Sequence, residues 1–398
     1  MTTSPTSTVA PPSILGSRRS ALAVTLMFAV NGLLLGGWGG VIPSVRDRLD
    51  LDPIQIAGML LAGGICAIAS MQVGGRLADA VGARGVALAG LPVIMLGCLL
   101  IGLADQYWLA VAGGALTGLG NGAMDVAMNA LGVQVEKARR RPIMSFFHAF
   151  FSVGNLVGAG SVLVLGRALD RDAAQVVLPV MLTLVGIAAV GLVWLIMIAP
   201  QAEKVDHVVD GRRVRVPVAA YVLGIMALCF GLSEGTAIDW SSIHVVDVTD
   251  VSPTTGALGL VAVSGFMTVI RLLGDRLVTR FGRRAVVRFG GACACVGYLT
   301  TVLAQPLPLV VVGWSLVGFG VGMIAPQVYA VAGHMGGGRV LAVVVTFGYS
   351  AFLIGPAVMG LTVHRLGVQH AMVLPTVLCA LIVLLAVTMP AEDQDLQE

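Results

Sequence analysis

The chain consists of long apolar runs separated by short groups of charged and polar residues. Each run is about the length that an α-helix needs to cross roughly 30 Å of hydrocarbon. Membrane β-strands would instead be shorter segments of alternating polarity, so the pattern predicts an all-α membrane protein. The twelve predicted spans are residues 20–42, 56–74, 85–103, 108–133, 143–166, 176–198, 217–241, 256–273, 285–304, 309–331, 340–363 and 371–389.

Composition supports this interpretation, and charge adds an orientation. Hydrophobic residues make up 57% of the chain and charged residues 11%, whereas soluble domains are about 25% charged. If residues 1–19 are cytoplasmic, nineteen of the 24 lysines and arginines fall on that side, hereafter the basic side, and five fall on the opposite side. The positive-inside rule therefore predicts that both termini are cytoplasmic. We expect a multi-pass protein of the plasma (inner) membrane. Because topology explains the basic residues, no nucleic-acid partner is expected.

Two stretches of the chain recur at the same offset of 200 residues. Residues 74–84 resemble residues 274–284, and the glycines of the fourth span, Gly113, Gly118, Gly120 and Gly122, recur in the tenth. Two similar halves predict two six-helix bundles related by a pseudo-two-fold axis along the membrane normal. The predicted units are a disordered cytoplasmic tail (1–19), two bundles (20–198 and 217–389), a cytoplasmic linker (199–216) and a cytoplasmic C-terminal tail (390–398).

A polar stripe interrupts the apolar fourth span. Asn121, Asp125 and Asn129 occur at intervals of four, so a helix places all three on one side. A carboxyl group inside the bilayer is costly, and it is expected to face protein or water and to serve a function. We predict that Asp125 takes up and releases a proton; the alternative is a structural acid bonded to its asparagine neighbours.

Two further side chains are candidates for proton coupling. Glu234 is predicted in the outer half of the seventh span, where it could equally cap a helix break near Gly235. His148 lies near the inner end of the fifth span and could relay protons or simply meet water. Asp239 and Trp240 are predicted at the outer membrane boundary, where tryptophan is favoured for interfacial reasons alone.

Amide and aromatic side chains in the more polar spans are candidate substrate contacts, although each could instead bond two helices together. These candidates are Asn31, Trp38, Asn121, Asn129, Asn155, Gln327, Tyr329 and Tyr349. The deep ionisable groups are acids and a histidine while the arginines are expected at helix ends, so the pattern favours a neutral or cationic solute. The six cysteines lie in predicted spans without metal-ligand spacing, so no metal or other cofactor is expected.

A family resemblance is carried by the segment between the second and third spans. This segment, Gly75-x-x-x-Asp79-x-x-Gly82-x-Arg84, and its counterpart ending at Arg284 resemble the signature loop of the major facilitator superfamily, although Ala80 replaces the usual arginine. Residues 122–129, 145–148, 234–240 and 271–276 are similar to the YbjJ and MosC-like branch, whose wider relatives include the fucose permeases. The resemblance implies the major facilitator fold and a conformational gate formed by Gly75, Asp79, Gly82, Arg84, Arg271, Asp275, Arg276, Arg280, Gly282 and Arg284.

The resemblance also implies a function. Members of this superfamily are secondary active transporters that work by alternating access around a mid-membrane site, so we expect a transporter and not an enzyme. The branch suggests a sugar, polyol or amino-polyol as the solute, and we expect its proton-coupled uptake by a monomer. Proton-coupled efflux of drugs or metabolites is the alternative. Uptake is favoured because residues 116–123 contain no arginine and because Gly154–Asn155 stands where exporters typically have a Gly-Pro pair.

Overall fold

The computed structural model describes residues 14–139, 143–169, 173–201 and 216–389. Most of the predicted tails and linker, residues 1–13, 202–215 and 390–398, therefore lie outside the described residues, as do Arg140, Arg141 and Arg171 from the charge count. The described helices are α1 (Arg18–Leu49), α2 (Pro53–Val81), α3 (Ala83–Leu103), α4 (Tyr107–Arg139), α5 (Met144–Leu169), α6 (Ala173–Ile198), α7 (Val218–Thr249), α8 (Pro253–Gly256), α9 (Leu258–Phe281), α10 (Arg283–Leu303), α11 (Leu307–Val321), α12 (Ile324–Ala371) and α13 (Val373–Leu385), with short 3-10 helices at Ile14–Gly16 and Ala386–Thr388.

Helix ends repeat at the offset seen in the sequence. Asp50 and Asp250 close α1 and α7 in the left-handed conformation, with φ of 50° and 53°. Two residues later, Asp52 and Ser252 cap the next helices through their side-chain oxygens, each directly before a proline in the first helical position. The sequence repeat is therefore also a repeat of backbone conformation.

The described helices account for the twelve predicted spans. Ten helical segments of the described residues are long and apolar enough to cross a membrane. α4 has 33 residues, and its polar stripe and glycines make it less apolar than those ten. The remaining segment, Val373–Thr388, is a shorter apolar helix.

The tenth and eleventh spans depart from the expected pattern. α11 ends at Val321, and α12 begins at Ile324 after a short turn. Pro326 explains this interruption, because it has no N–H for the carbonyl four residues earlier and its ring clashes with that carbonyl. α12 then stays helical through the predicted connection between the spans. The Tyr329 hydroxyl nevertheless lies against Gly348, which a straight helix would place about 28 Å away, so the chain reverses direction within α12.

The two halves have their own packing centres and meet along several helix pairs. In the first half, α1 packs on α5 and α6, and α4 packs on α2 and α3. In the second, α7 packs on α12 and α13, and α11 packs on α9 and α10. The halves meet chiefly through α5 with α9, α2 with α12, and α1 with both α7 and α8. The packing of α3, α10 and α13 lies within their own halves, as expected for peripheral helices.

Gly82, between α2 and α3, provides a test of the loop backbone. Its φ of 98° is one that residues with a side chain rarely adopt, so Gly82→Ala is expected to lower the free energy of unfolding by about 1–3 kcal/mol. Gly85→Ala is the control, since an added methyl group there meets nothing within 4 Å and alanine favours the helix. Thermal unfolding of the purified variants in detergent measures both, and equal melting temperatures would contradict the prediction.

Candidate functional site

An ion pair lies between the two halves in the interior of the bundle. Arg271 on α9 donates from Nη2 to Glu234 Oε1 on α7 at 2.9 Å and from Nη1 to Ser152 Oγ on α5 at 2.8 Å. Because α5 belongs to the first half and α7 and α9 to the second, one guanidinium connects both halves. The Arg271 and Glu234 side chains keep 11% and 18% of their surface exposed, so they border a space between these helices.

Glu234 lies at the middle of its helix, so the prediction of an outer position is wrong. α7 is continuous from Val218 to Thr249, and it has no break at Gly235 for Glu234 to cap. The predicted span ended at residue 241, whereas the helix continues about two turns further to its Asp250 cap. Trp240 is 1% exposed and packs inside the protein, so an exposed interfacial ring does not explain its position.

The prediction that arginines lie at helix ends is wrong for Arg271. α9 continues to Phe281 and stops at Gly282, whose φ is 77°, so Arg271 lies almost three turns inside the helix. The resemblance assigned this arginine to the gate, whereas the structure places it in the interior beside Glu234. The signal was present in the sequence, since a glycine after a helical run commonly marks the helix end. Ser152, the partner of Arg271 on α5, was not among the predicted residues.

The polar stripe of α4 bonds within its own helix and to α1. Asn129 Nδ2 donates to the Asp125 carbonyl at 2.8 Å and to Asp125 Oδ1 at 3.2 Å. Asn121 Oδ1 accepts from Asn31 Nδ2 on α1 at 3.0 Å. Asn31 is fully buried, and its own Oδ1 has no partner among the described residues. The described ion pairs join no lysine or arginine to Asp125.

Two tyrosines of α12 lie in the region between the α4 carboxyl group and the ion pair. Tyr349 is within electrostatic range of Asp125 of the other half. Tyr329 is within electrostatic range of Tyr349 and of Glu234. The reversal within α12 brings these two rings together, although they are 20 positions apart in the sequence.

His148 approaches the ion pair from the first half. Its carbonyl accepts from the Ser152 hydroxyl that also binds Arg271, and its ring packs edge-on against Phe28 with 5.1 Å between centroids. Five helices thus place polar groups around one interior region. We name it the central cluster, and it consists of Asp125, His148, Ser152, Glu234, Arg271, Tyr329 and Tyr349.

The contacts of three other candidate residues belong to helix packing. Asn155 is buried on α5 with its Oδ1 against Gly36 of α1. Gln327 Oε1 accepts from Arg283 Nη1 at 2.9 Å, at the start of α10. Trp38 is 9% exposed and packs in the hydrophobic core. A substrate-binding role for these three stays a prediction without support from their contacts.

The two signature loops have similar backbones and different contacts. Gly82 and Gly282 both have positive φ. Arg84 Nη2 donates to the Ile196 carbonyl of α6 at 2.7 Å, which fixes the first loop within its own half. The Arg280 guanidinium in the second half lies 5.5 Å from the centroid of its neighbour's ring. The Asp275 side chain lies outside the described part of the structure, and the gating role of these loops stays a prediction.

A second ion pair between the halves was not predicted. Arg46 of α1 bonds Asp247 of α7 through both guanidinium ends, at 2.8 and 2.6 Å. The pair lies near the ends of α1 and α7, on the side opposite the basic side. Its side chains are 23% and 34% exposed, so it adds little to stability but joins the halves. The two residues occupy equivalent turns of the repeats, which a pseudo-two-fold axis brings together.

The comparisons with known proteins agree with this architecture. The profile of the Major Facilitator Superfamily matches residues 24–332 and again 223–397. The chain belongs to this superfamily. It is therefore a multi-pass membrane protein and a secondary transporter, and not an enzyme.

Relatives of this superfamily member include two bacterial proteins of similar length. An uncharacterized transporter, y4wD of Sinorhizobium fredii, is 32% identical over 363 residues, which cover 90% of this chain and 95% of the relative. The membrane protein MosC of Rhizobium meliloti is 27% identical over 366 residues, covering 90% and 87%. The crystal structure of FucP is similar in fold alone, with 17% identity, a TM-score of 0.63 and coverage of 94% and 98%. The predicted resemblance to the MosC-like branch and to a fucose permease is confirmed.

Proposed function

We propose that this transporter couples the entry of protons to the uptake of a small neutral or cationic polar solute. The solute would be a sugar, polyol or amino-polyol, and the transporter would act as a monomer in the plasma (inner) membrane with both termini cytoplasmic. The observation that carries the proposal is Asp125, whose carboxyl group lies inside the bundle with Asn129 as its hydrogen-bond partner. The described ion pairs join no cation to this carboxyl group, and an intramembrane acid of this kind within the central cluster is suited to proton exchange.

The contacts between the halves support an alternating-access cycle. Opening of the side opposite the basic side would separate Arg46 from Asp247, which now join the halves there. The Arg271–Ser152 bond joins the halves in the interior and would also change. Asp125 would accept a proton when that side is open and release it toward the basic side, with the solute bound in the central cluster between these events.

The charges of the central cluster support the proposed class of solute. Arg271 contributes one positive charge, while Glu234 and Asp125 can contribute one negative charge each, so an anion gains no net attraction. FucP, whose fold this chain shares, is named as a fucose:proton symporter. Efflux of drugs or metabolites remains the alternative direction, and binding confined to hydrophobic cations would support it.

A stabilisation screen followed by a transport assay tests the proposal. Sugars, polyols, amines and hydrophobic cations are screened for a raised melting temperature of the purified protein, because a ligand that binds the folded state stabilises it. The strongest hit is then followed into proteoliposomes with an imposed proton gradient. Asp125→Asn keeps the shape of the side chain and is expected to abolish accumulation against a solute gradient.

Asp239→Asn is the matched control for this assay. It makes the same carboxyl-to-amide change in another membrane helix, α7, at a position outside the central cluster, and it is expected to leave uphill accumulation in place. Uphill transport by Asp125→Asn at the wild-type level would exclude Asp125 as the proton site. Loss of accumulation in Asp239→Asn alone would assign the proton site to α7.

A further inference from the structure

The Glu234–Arg271 pair has unused hydrogen-bonding capacity in the interior of the transporter. Arg271 carries five N–H donors, and the described contacts use one on Nη1 and one on Nη2. Its buried Nε has no partner among the described residues. Glu234 accepts through Oε1, and the described hydrogen bonds leave its second carboxylate oxygen unused. Free donors therefore lie next to a free acceptor.

This combination distinguishes a hydroxyl group from a carboxylate. A hydroxyl both donates and accepts, so neighbouring hydroxyls of one ligand can bond to Arg271 and Glu234 together. A carboxylate can only accept. It could bond to Arg271, yet it would lie beside the negative charge of Glu234 in a medium of low dielectric, where like charges repel strongly.

The pair is partly exposed, and aromatic side chains lie near it. The residual exposure of both side chains shows open space beside them. Ser152, the α5 partner of Arg271, donates to the His148 carbonyl one turn away, and Tyr329 is within electrostatic range of Glu234, so two rings are available near the pair. Aromatic rings with polar edges offer a ligand both an apolar face and a hydrogen bond.

We infer that Arg271 binds the solute directly and that Glu234, by neutralising Arg271, selects hydroxyl-bearing over carboxylate-bearing solutes. The inference rests on the proposed uptake of a polar solute and names the residues that set its charge specificity. It predicts that removing the Glu234 charge exposes Arg271 to anions. A charge-assisted hydrogen bond is then available to an acidic ligand without the repelling neighbour.

The experiment compares neutral sugars with their acid counterparts. D-glucose is paired with D-glucuronate, and D-galactose with D-galacturonate, in binding titrations at pH 7 on purified wild-type, Glu234→Gln and Arg271→Lys proteins. In Glu234→Gln, affinity for each acid relative to its neutral partner is expected to rise about tenfold or more. Arg271→Lys keeps the charge but loses the planar fork, and it is expected to bind the neutral sugars at least about tenfold more weakly.

The outcomes separate this inference from the proposed function. Neutral binding by the wild type, with an unchanged acid-to-neutral ratio in Glu234→Gln, overturns the inference and leaves the proposed function in place. If Glu234→Gln binds the sugar acids while the wild type binds no neutral sugar, the result supports the inference and overturns the sugar proposal. Binding of neither class by either protein overturns the inference and excludes these sugars as the proposed solute. If Glu234→Gln does not fold, unchanged neutral binding by Arg271→Lys overturns the inference.

Discussion

Arg271→Met is expected to lower the free energy of unfolding by about 3–5 kcal/mol, because it leaves the Glu234 charge in the interior without its partner. The two side chains are only 11% and 18% exposed, so the space beside them solvates the unpaired carboxylate far less than bulk water does. Thermal unfolding of the purified protein in detergent measures the loss as a lower melting temperature.

The double variant Arg271→Met/Glu234→Gln separates a lost pair from lost packing. It removes both charges, so it is expected to recover most of the stability that the single change loses. Arg46→Met is the matched control. It breaks the more exposed pair with Asp247, on the side opposite the basic side, and such a pair is worth at most about 1 kcal/mol. A loss of stability in the double variant equal to the sum of the losses in Arg271→Met and Glu234→Gln would show that Arg271 acts by packing and not by charge.

The repeat explains why so much of the fold could be predicted. The offset of 200 residues is visible in the sequence. Residues related by it have similar backbone conformations in the structure, as Asp50 and Asp250 and Gly82 and Gly282 show. Turn and cap chemistry is local, so it can be predicted without knowledge of tertiary structure. The exception is Pro326, which the first repeat lacks and which divides the tenth span.

The central cluster was only partly predictable, because it depends on contacts between distant segments. The spacing of the α4 stripe indicated Asp125 and Asn129, and both lie where a helix places them. The depth of Arg271 depended on where α9 ends, which apolar runs define only to within a few residues. Its bond to Ser152 joins positions 119 apart, and local patterns do not contain such pairings.

The glycine scaffold shared by the two halves leads to the second large expected effect. A Cβ added to Gly118 on α4 would overlap the carbonyl oxygen of Gly63 on α2. A Cβ added to Gly318 on α11 would overlap the carbonyl oxygen of Val263 on α9. Both contacts are between main chains of crossing helices, where small residues permit close approach.

Gly118→Val and Gly318→Val are each expected to cost at least about 3 kcal/mol, at the upper end for overpacking, because a backbone obstacle cannot rotate away as a side chain can. Gly186→Val on α6 is the control, since an added Cβ there meets nothing within 4 Å. Melting temperatures in detergent check all three variants. A Gly118→Val protein as stable as the Gly186→Val control would mean that α2 and α4 can separate without loss.

A milder change at the same position connects the scaffold to transport. Gly118 lies seven residues, about two turns, before Asp125 on α4. Gly118→Ala should therefore push α4 away from α2 and move the carboxyl group relative to Tyr349 of the other half. Gly318→Ala imposes the same strain on a helix without an intramembrane acid. Among variants that still fold, we expect Gly118→Ala to lose proton-driven accumulation and Gly318→Ala to retain more of it. Equal losses would contradict this expectation, because position relative to Asp125 would then make no difference.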